Sequence, residues 1–201
     1  EAWKLFLELD EMGGFVGAFK KGFIQEKIGQ TAQKRDMAIA TRKEVLVGTN
    51  QYPNFDERLR KGIDKEVMNP ADCTMENNIA ETLKPYRGAQ AFERLRAKTD
   101  IYAREHKRPA AFMFTYGNLA MRRARSQFSS NFFACAGFDV IDNNGFSDID
   151  QGIREALDKK AEIVVICAAD DDYPEIAPQI LEKIDNKAIV VVAGYPKKHS
   201  G

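Results

Sequence analysis

The chain has 201 residues, 44% of them apolar, which suffices to bury a sizeable core and accommodates one or two domains. Thirty Lys and Arg residues balance thirty Asp and Glu residues, so the formal net charge is zero and points neither to a nucleic-acid partner nor to an acidic tail. Apolar runs such as Ile163 to Ala169 and Ala188 to Gly194 fall well short of the roughly 18 residues a membrane-spanning helix needs, so no membrane partner is expected.

The chain opens at Glu1 without a charged, apolar, small-residue leader pattern, and a fragment of a larger, cytoplasmic protein is expected. Cys73, Cys135 and Cys167 are odd in number and widely spaced, which predicts structural thiols in a reducing compartment rather than a disulfide framework or zinc site. His106 and His199 are the two imidazoles.

In chain order, residues 1 to about 44 have helical spacing. Trp3, Phe6 and Leu7 share one apolar face, Gly13-Gly14 interrupts it, and Phe23, Ile24 and Ile28 begin a second helix. The run Val45-Leu46-Val47-Gly48 predicts a short strand ended by Asn50 and Pro53. From Asn54 to Lys84 the hydrophobicity has no period, charges are dense and Pro53, Pro70 and Pro85 punctuate the stretch, which predicts an irregular linker wrapping a surface. Pro85 then opens a predicted helix at about 86–106, with Phe92, Leu95 and Tyr102 on one side, stopped by Lys107-Arg108-Pro109.

Beyond Pro109, strand and helix patterns alternate. Apolar strands are predicted at Ala110 to Tyr116, Phe138 to Asp142, Ile163 to Ala168 and Ala188 to Ala193. Helical stripes lie between them: Met121, Ala124, Phe128, Phe132 and Cys135, then Ile149, Ile153, Ala156 and Leu157, then Ile176, Ile180 and Ile184. Nearly continuous apolar strands are covered on both faces, so the predicted fold is α/β: a doubly wound, flavodoxin-like parallel sheet, preceded by a helical segment and an irregular linker. Such a sheet usually has a fifth strand and a closing helix, so the domain is expected to be truncated at its C-terminal end.

Three stretches resemble the methylmalonyl-CoA mutase family: Val47-Gly-Thr-Asn-Gln-Tyr-Pro53, Leu83-Lys-Pro-Tyr-Arg-Gly88, and Gly117 to Phe133 followed by Asp142-Asn-Asn-Gly145. The last is similar to small-subunit sequences in particular. The resemblance implies that residues 1–50 are the end of a (β/α)8 barrel, 51–108 an inter-domain linker, and 109–201 a cobalamin-binding-type domain.

In that family the loop after the first strand of this domain carries Asp-x-His-x-x-Gly. The His ligates cobalt from below, the Asp holds the other ring nitrogen, and the Gly admits the cofactor tail. Aligned on Gly117 and Arg123, this chain has Leu119, Met121 and Ala124 at those places. The family also leads one to expect hydroxyl residues after the third strand and a Gly-Gly pair after the fourth, where this chain has Ala168-Ala169 and Ala193-Gly194. Met121 and Ala124 fall on the apolar stripe of their helix and are expected to fill the space of a cofactor tail.

The resemblance thus implies a non-catalytic structural subunit that binds no cofactor or metal and has no catalytic residues. Its partner would be a large catalytic subunit in a heterodimer, which binds adenosylcobalamin and isomerises methylmalonyl-CoA to succinyl-CoA. Two alternatives stay open: a catalytic acyl-CoA mutase holding cobalamin without a protein His ligand, with Met121 or the cofactor's own base beneath cobalt, and a free-standing flavodoxin-like module.

Other signals have simpler readings. Asp170-Asp171-Asp172 could hold magnesium but is expected to cap the following helix. Arg122, Arg123 and Arg125 could greet a phosphate at a helix amino end but are expected on a solvated or subunit-contacting face. Asn143-Asn144-Gly145 is a turn signature, as is Gly13-Gly14.

Overall fold

The computed structural model describes residues 1–58, 80–83 and 85–195. Three helices open it: α1 (Ala2–Glu11), α2 (Gly14–Lys20) and α3 (Phe23–Ala40). Gly13, in the left-handed region at φ 91°, makes the first break, as its sequence suggests. Trp3, Phe6 and Leu7 are all exposed, and α1 buries no residue.

The predicted strand at Val45 to Gly48 does not form. Val47 makes only an isolated bridge to Gln51, and Val45 and Val47 are exposed. The buried Asn50 side chain decides this conformation: Oδ1 accepts from the Leu46 amide at 2.8 Å, and Nδ2 donates to the Ile39 and Glu44 carbonyls at 2.8 and 2.9 Å. The Leu46 amide and Glu44 carbonyl, which a ladder would need, are thereby taken by a turn.

Most of the predicted linker lies outside the described residues, as do Cys73 and His199. Helix α4 spans Gln90–Tyr102, starting later than the Pro85 signal because a turn at Gly88 and Ala89 intervenes. Its buried residues are Ala97, Thr99 and Asp100, whereas Leu95 and Tyr102 are exposed. A largely buried ion pair explains the difference: Arg108 Nη2 meets Asp100 Oδ1 at 2.6 Å, and Nη1 donates to the Gly137 carbonyl. Helix α4 is thus held to the sheet domain through polar atoms rather than through its apolar stripe.

The remainder is the expected α/β alternation: β1 (Ala110–Thr115), α5 (Leu119–Cys135), β2 (Asp139–Ile141), α6 (Ile149–Asp158), β3 (Ile163–Cys167), α7 (Tyr173–Ile184) and β4 (Ile189–Val192). The sheet is entirely parallel in the order β2-β1-β3-β4, with Ala111 opposite both Val140 and Ile163. This is the flavodoxin-like order.

Alternation along the strands divides the core. Phe112, Phe114, Val164 and Ile166 face α6 and α7, where Ile153, Ile176, Ile180 and Ile184 are buried. Ala111, Met113, Val165 and Cys167 face the other way, toward Phe133 of α5. The α6 and α7 stripes match the sequence pattern; that of α5 does not. Helix α5 buries Ser126, Ser129, Ser130, Ala134 and Cys135, while Met121, Phe128 and Phe132 are exposed.

The outer face of α5 is instead covered in part by the connection from α3. The Arg42 guanidinium lies 5.0 Å from the Phe128 ring centre and 5.3 Å from that of Phe132, and the Tyr52 amide donates to Asn131 Oδ1.

Candidate functional site at the carboxyl edge of the sheet

In doubly wound sheets, ligands enter the crevice outside the carboxyl ends of the strands, where successive connections leave in opposite directions. Here that point lies between β1 and β3, because β2 and β3 flank β1 on opposite sides. Three chain segments border it: Tyr116 to Asn118 after β1, Ala168 to Asp172 after β3, and Ala193-Gly194 after β4.

The β1 loop turns through Gly117 at φ 70°, where a Cβ would lie 2.7 Å from Asp172 Oδ2. Asn118 then caps α5, its Oδ1 accepting from the amides of Ala120 and Met121 at 3.0 and 3.2 Å. Leu119 and Met121 are exposed, and the Asn118 carbonyl oxygen is already committed to the cap. Met121, Ala124, Phe128, Phe132 and Val191 line an open apolar groove of about 480 Å³ beside α5. Met121 and Ala124 thus lie on the open side of α5, bordering this groove, rather than on the helix face that packs on the sheet.

Arg123 is exposed as expected, whereas Arg122 and Arg125 depart from their expected solvated role. Arg122 donates to the carbonyls of Gly117 at 3.1 Å and Asn144 at 2.9 Å, tying the β1 and β2 loops together. Arg125 reaches across the crevice: Nη2 pairs with Asp170 Oδ1 at 2.8 Å, Nη1 donates to the Ala193 carbonyl, and the guanidinium lies 5.6 Å from the Tyr173 ring centre. Tyr173, buried at the start of α7, donates its hydroxyl to the same Ala193 carbonyl at 2.8 Å and accepts from the Ala168 amide. Burial pushes the Tyr173 phenol up from its ordinary pKa.

These two side chains account for Gly194, where a Cβ would lie 2.8 Å from the Tyr173 ring and 2.9 Å from Arg125 Cζ. The acidic turn is divided between other tasks. Asp170 pairs with Arg125, while Asp172 accepts from the Ala169 amide at 3.3 Å and makes no side-chain cap to α7. Among the described residues no group of three or more His, Cys, Asp or Glu side chains is arranged to hold a metal ion.

Beneath the crevice, Asn143 Nδ2 donates to the Met113 carbonyl and Ser126 to Asp142 at 2.7 Å, so the Asn-Asn-Gly turn clamps β2 to β1 and α5. The fully buried Cys167 ends β3, and burial pushes its thiol up to about 12.

Leu119, Met121 and Ala124, the positions that the resemblance aligns with a cobalt-binding Asp, His and Gly, carry an aliphatic chain, a thioether and a methyl group. None supplies an imidazole or a carboxylate. His106, near the opposite edge before β1, is exposed and stacked on Tyr102 at 4.3 Å. The residues at this crevice do not fit a cobalamin held through a protein histidine.

The described residues define a doubly wound, flavodoxin-like parallel-sheet domain preceded by a helical segment. Sequence comparison places the chain within a family: the model of methylmalonyl-CoA mutase matches residues 1–117, more than half of its length, and the chain belongs to that family. It is 46% identical over 196 residues to the methylmalonyl-CoA mutase small subunit of Porphyromonas gingivalis, covering 98% of this chain and 31% of that protein. It is 25% identical over 180 residues to the methylmalonyl-CoA mutase small subunit of Streptomyces virginiae, covering 89% and 28%. Human mitochondrial methylmalonyl-CoA mutase is 32% identical over 89 residues, or 44% of this chain and 11% of that protein. The chain therefore spans less than a third of the length of these relatives.

Tyr173 is the site residue that sequence reasoning missed, and Arg125, which it places on a solvated or subunit-contacting face, is instead turned into the crevice. A cation nearly two turns into a helix that starts at Leu119, with an acidic turn after a neighbouring strand, is the available signal, but the pairing depends on the β1–β3 adjacency.

Proposed function

We propose that this chain is part of the non-catalytic small subunit of an adenosylcobalamin-dependent methylmalonyl-CoA mutase. The large subunit of the heterodimer would carry the cofactor and isomerise methylmalonyl-CoA to succinyl-CoA in the cytoplasm. Residues 1–50 are read as the end of a barrel domain and those from 109 onward as a cobalamin-type domain that serves as a scaffold.

The observation that carries this reading is the ligand loop, where Met121 stands in place of the imidazole and Leu119 in place of the carboxylate that would orient it. The small-subunit names of the relatives support the same role. A thioether is a soft ligand better matched to copper or haem iron than to a cobalt centre that takes imidazole, so Met121 is no substitute.

The test is equilibrium dialysis of the purified full chain against adenosylcobalamin, read by the visible spectrum. No retained cofactor is the expected result. Retention with the spectrum of a cobalamin whose own base is displaced would overturn the reading and assign a cofactor-binding subunit.

A further inference from the structure

We propose that Arg125 is an internal bolt that closes the switch-point crevice and shields the end of β3 beneath it. The crevice where a doubly wound sheet takes a ligand is here crossed by the chain's own side chain. One guanidinium joins three elements that are distant in sequence: α5, from which it projects; the β3–α7 loop, through Asp170; and the end of β4, through the Ala193 carbonyl. Its planar fork suits this task, because one edge meets a carboxylate, another N–H meets a carbonyl, and the face lies against the Tyr173 ring.

Tyr173 completes the closure by donating to the same carbonyl at 2.8 Å. Gly194 lies against both side chains with no room for a Cβ, so the chain leaving β4 is built around the bolt. Arg125 Nε is buried without a hydrogen-bond partner among the described residues, which shows how deeply the guanidinium is drawn in. Any ligand approaching from the carboxyl edge must first displace the Asp170 pair and the Ala193 bond. The bolt is independent of the proposed subunit role, since it is read without any cofactor.

Two native thiols report on it. Cys167 is fully buried at the carboxyl end of β3 under the bolt, and Cys135 is buried at the far end of α5. The experiment is peptide-resolved alkylation of the full chain by iodoacetamide under native conditions, with the rate of Cys167 taken relative to Cys135. Arg125→Ala is expected to raise that ratio by about tenfold through local opening of the edge. Arg125→Lys, which keeps charge but loses the fork, should give a smaller rise.

Asp170→Asn removes one exposed carboxylate charge and should also raise the ratio, which keeps the test decisive if Arg125→Ala fails to fold. An unchanged ratio in the folded variants would overturn the bolt. So would parallel acceleration of Cys135, because that describes general loosening rather than opening of one edge.

Discussion

The two faces of the sheet are closed by different means. Toward α6 and α7 the strands present Phe112, Phe114, Val164 and Ile166, and the helices answer with Ile153, Ile176, Ile180 and Ile184, giving one continuous apolar layer. Toward α5 the strands present the smaller set Ala111, Met113, Val165 and Cys167, and α5 turns serines inward while Phe128 and Phe132 face out. That second face is held by specific polar bonds: Ser126 to Asp142, Asn143 to Met113, and Arg125 to Asp170 and Ala193. One face draws its stability from area removed from water, the other from hydrogen bonds that fix where loops sit.

The largest effect that tests this contrast is expected from Phe114→Ala. Phe114 is fully buried, its ring centre lies 5.5 Å from that of Phe146, and its edge packs on Gly152. Truncation removes the transfer energy of a ring and leaves a cavity between β1 and α6, at a cost of about 3 to 5 kcal/mol. Urea denaturation of the variant measures it. A loss below about 1 kcal/mol would mean that the α6–α7 layer collapses to fill the gap and is less rigid than its packing indicates.

A second, smaller effect separates the faces by pH. In the folded chain burial holds the Cys167 thiol protonated up to about 12, whereas an unfolded cysteine ionises near 8.5. The folded pKa is the raised one, so the contribution is fully present below about 8.5 and is lost as pH rises toward the folded value, where the unfolded state binds fewer protons. Stability should therefore fall by up to about 1.4 kcal/mol per pH unit above that point. Cys167→Ala should flatten the slope, as read from denaturation midpoints at pH 8 to 10 or so. Equal slopes for both proteins would show that the α5 face admits water to the end of β3.

The order of strands and helices after Pro109 is readable in the sequence because each element carries one dominant period, and the Ile176, Ile180, Ile184 stripe lies where its spacing indicates. The α5 stripe misleads because apolarity alone does not say which face of a helix is inside. Ser126, Ser129 and Ser130 can be buried once Asp142 and the strand ends offer partners, and those partners come from elsewhere in the chain. Val45 to Gly48 misleads for a related reason, since one buried amide at Asn50 outweighs the strand preference of two valines. At the site, the absence of an imidazole at Met121 is legible in the sequence, whereas the Arg125 bolt depends on β1 and β3 becoming neighbours.

The smallest effect is the most informative about the outer side of α5. Phe128 is 60% exposed, with the Arg42 guanidinium over its ring at 5.0 Å and the Phe132 ring stacked beside it at 6.4 Å. Phe128→Ala forfeits a cation–π contact of about 0.5 to 1 kcal/mol at such a site. It regains a few tenths of that through the better helix propensity of alanine, so the net loss should stay under about 1 kcal/mol. Arg42 also covers Phe132 at 5.3 Å, so a double-mutant cycle of Phe128→Ala with Arg42→Ala should return only part of the contact energy, the remainder passing to the neighbouring ring. A loss above about 2 kcal/mol in denaturation would contradict a solvent-facing ring and show that the groove side of α5 is covered by another body in solution.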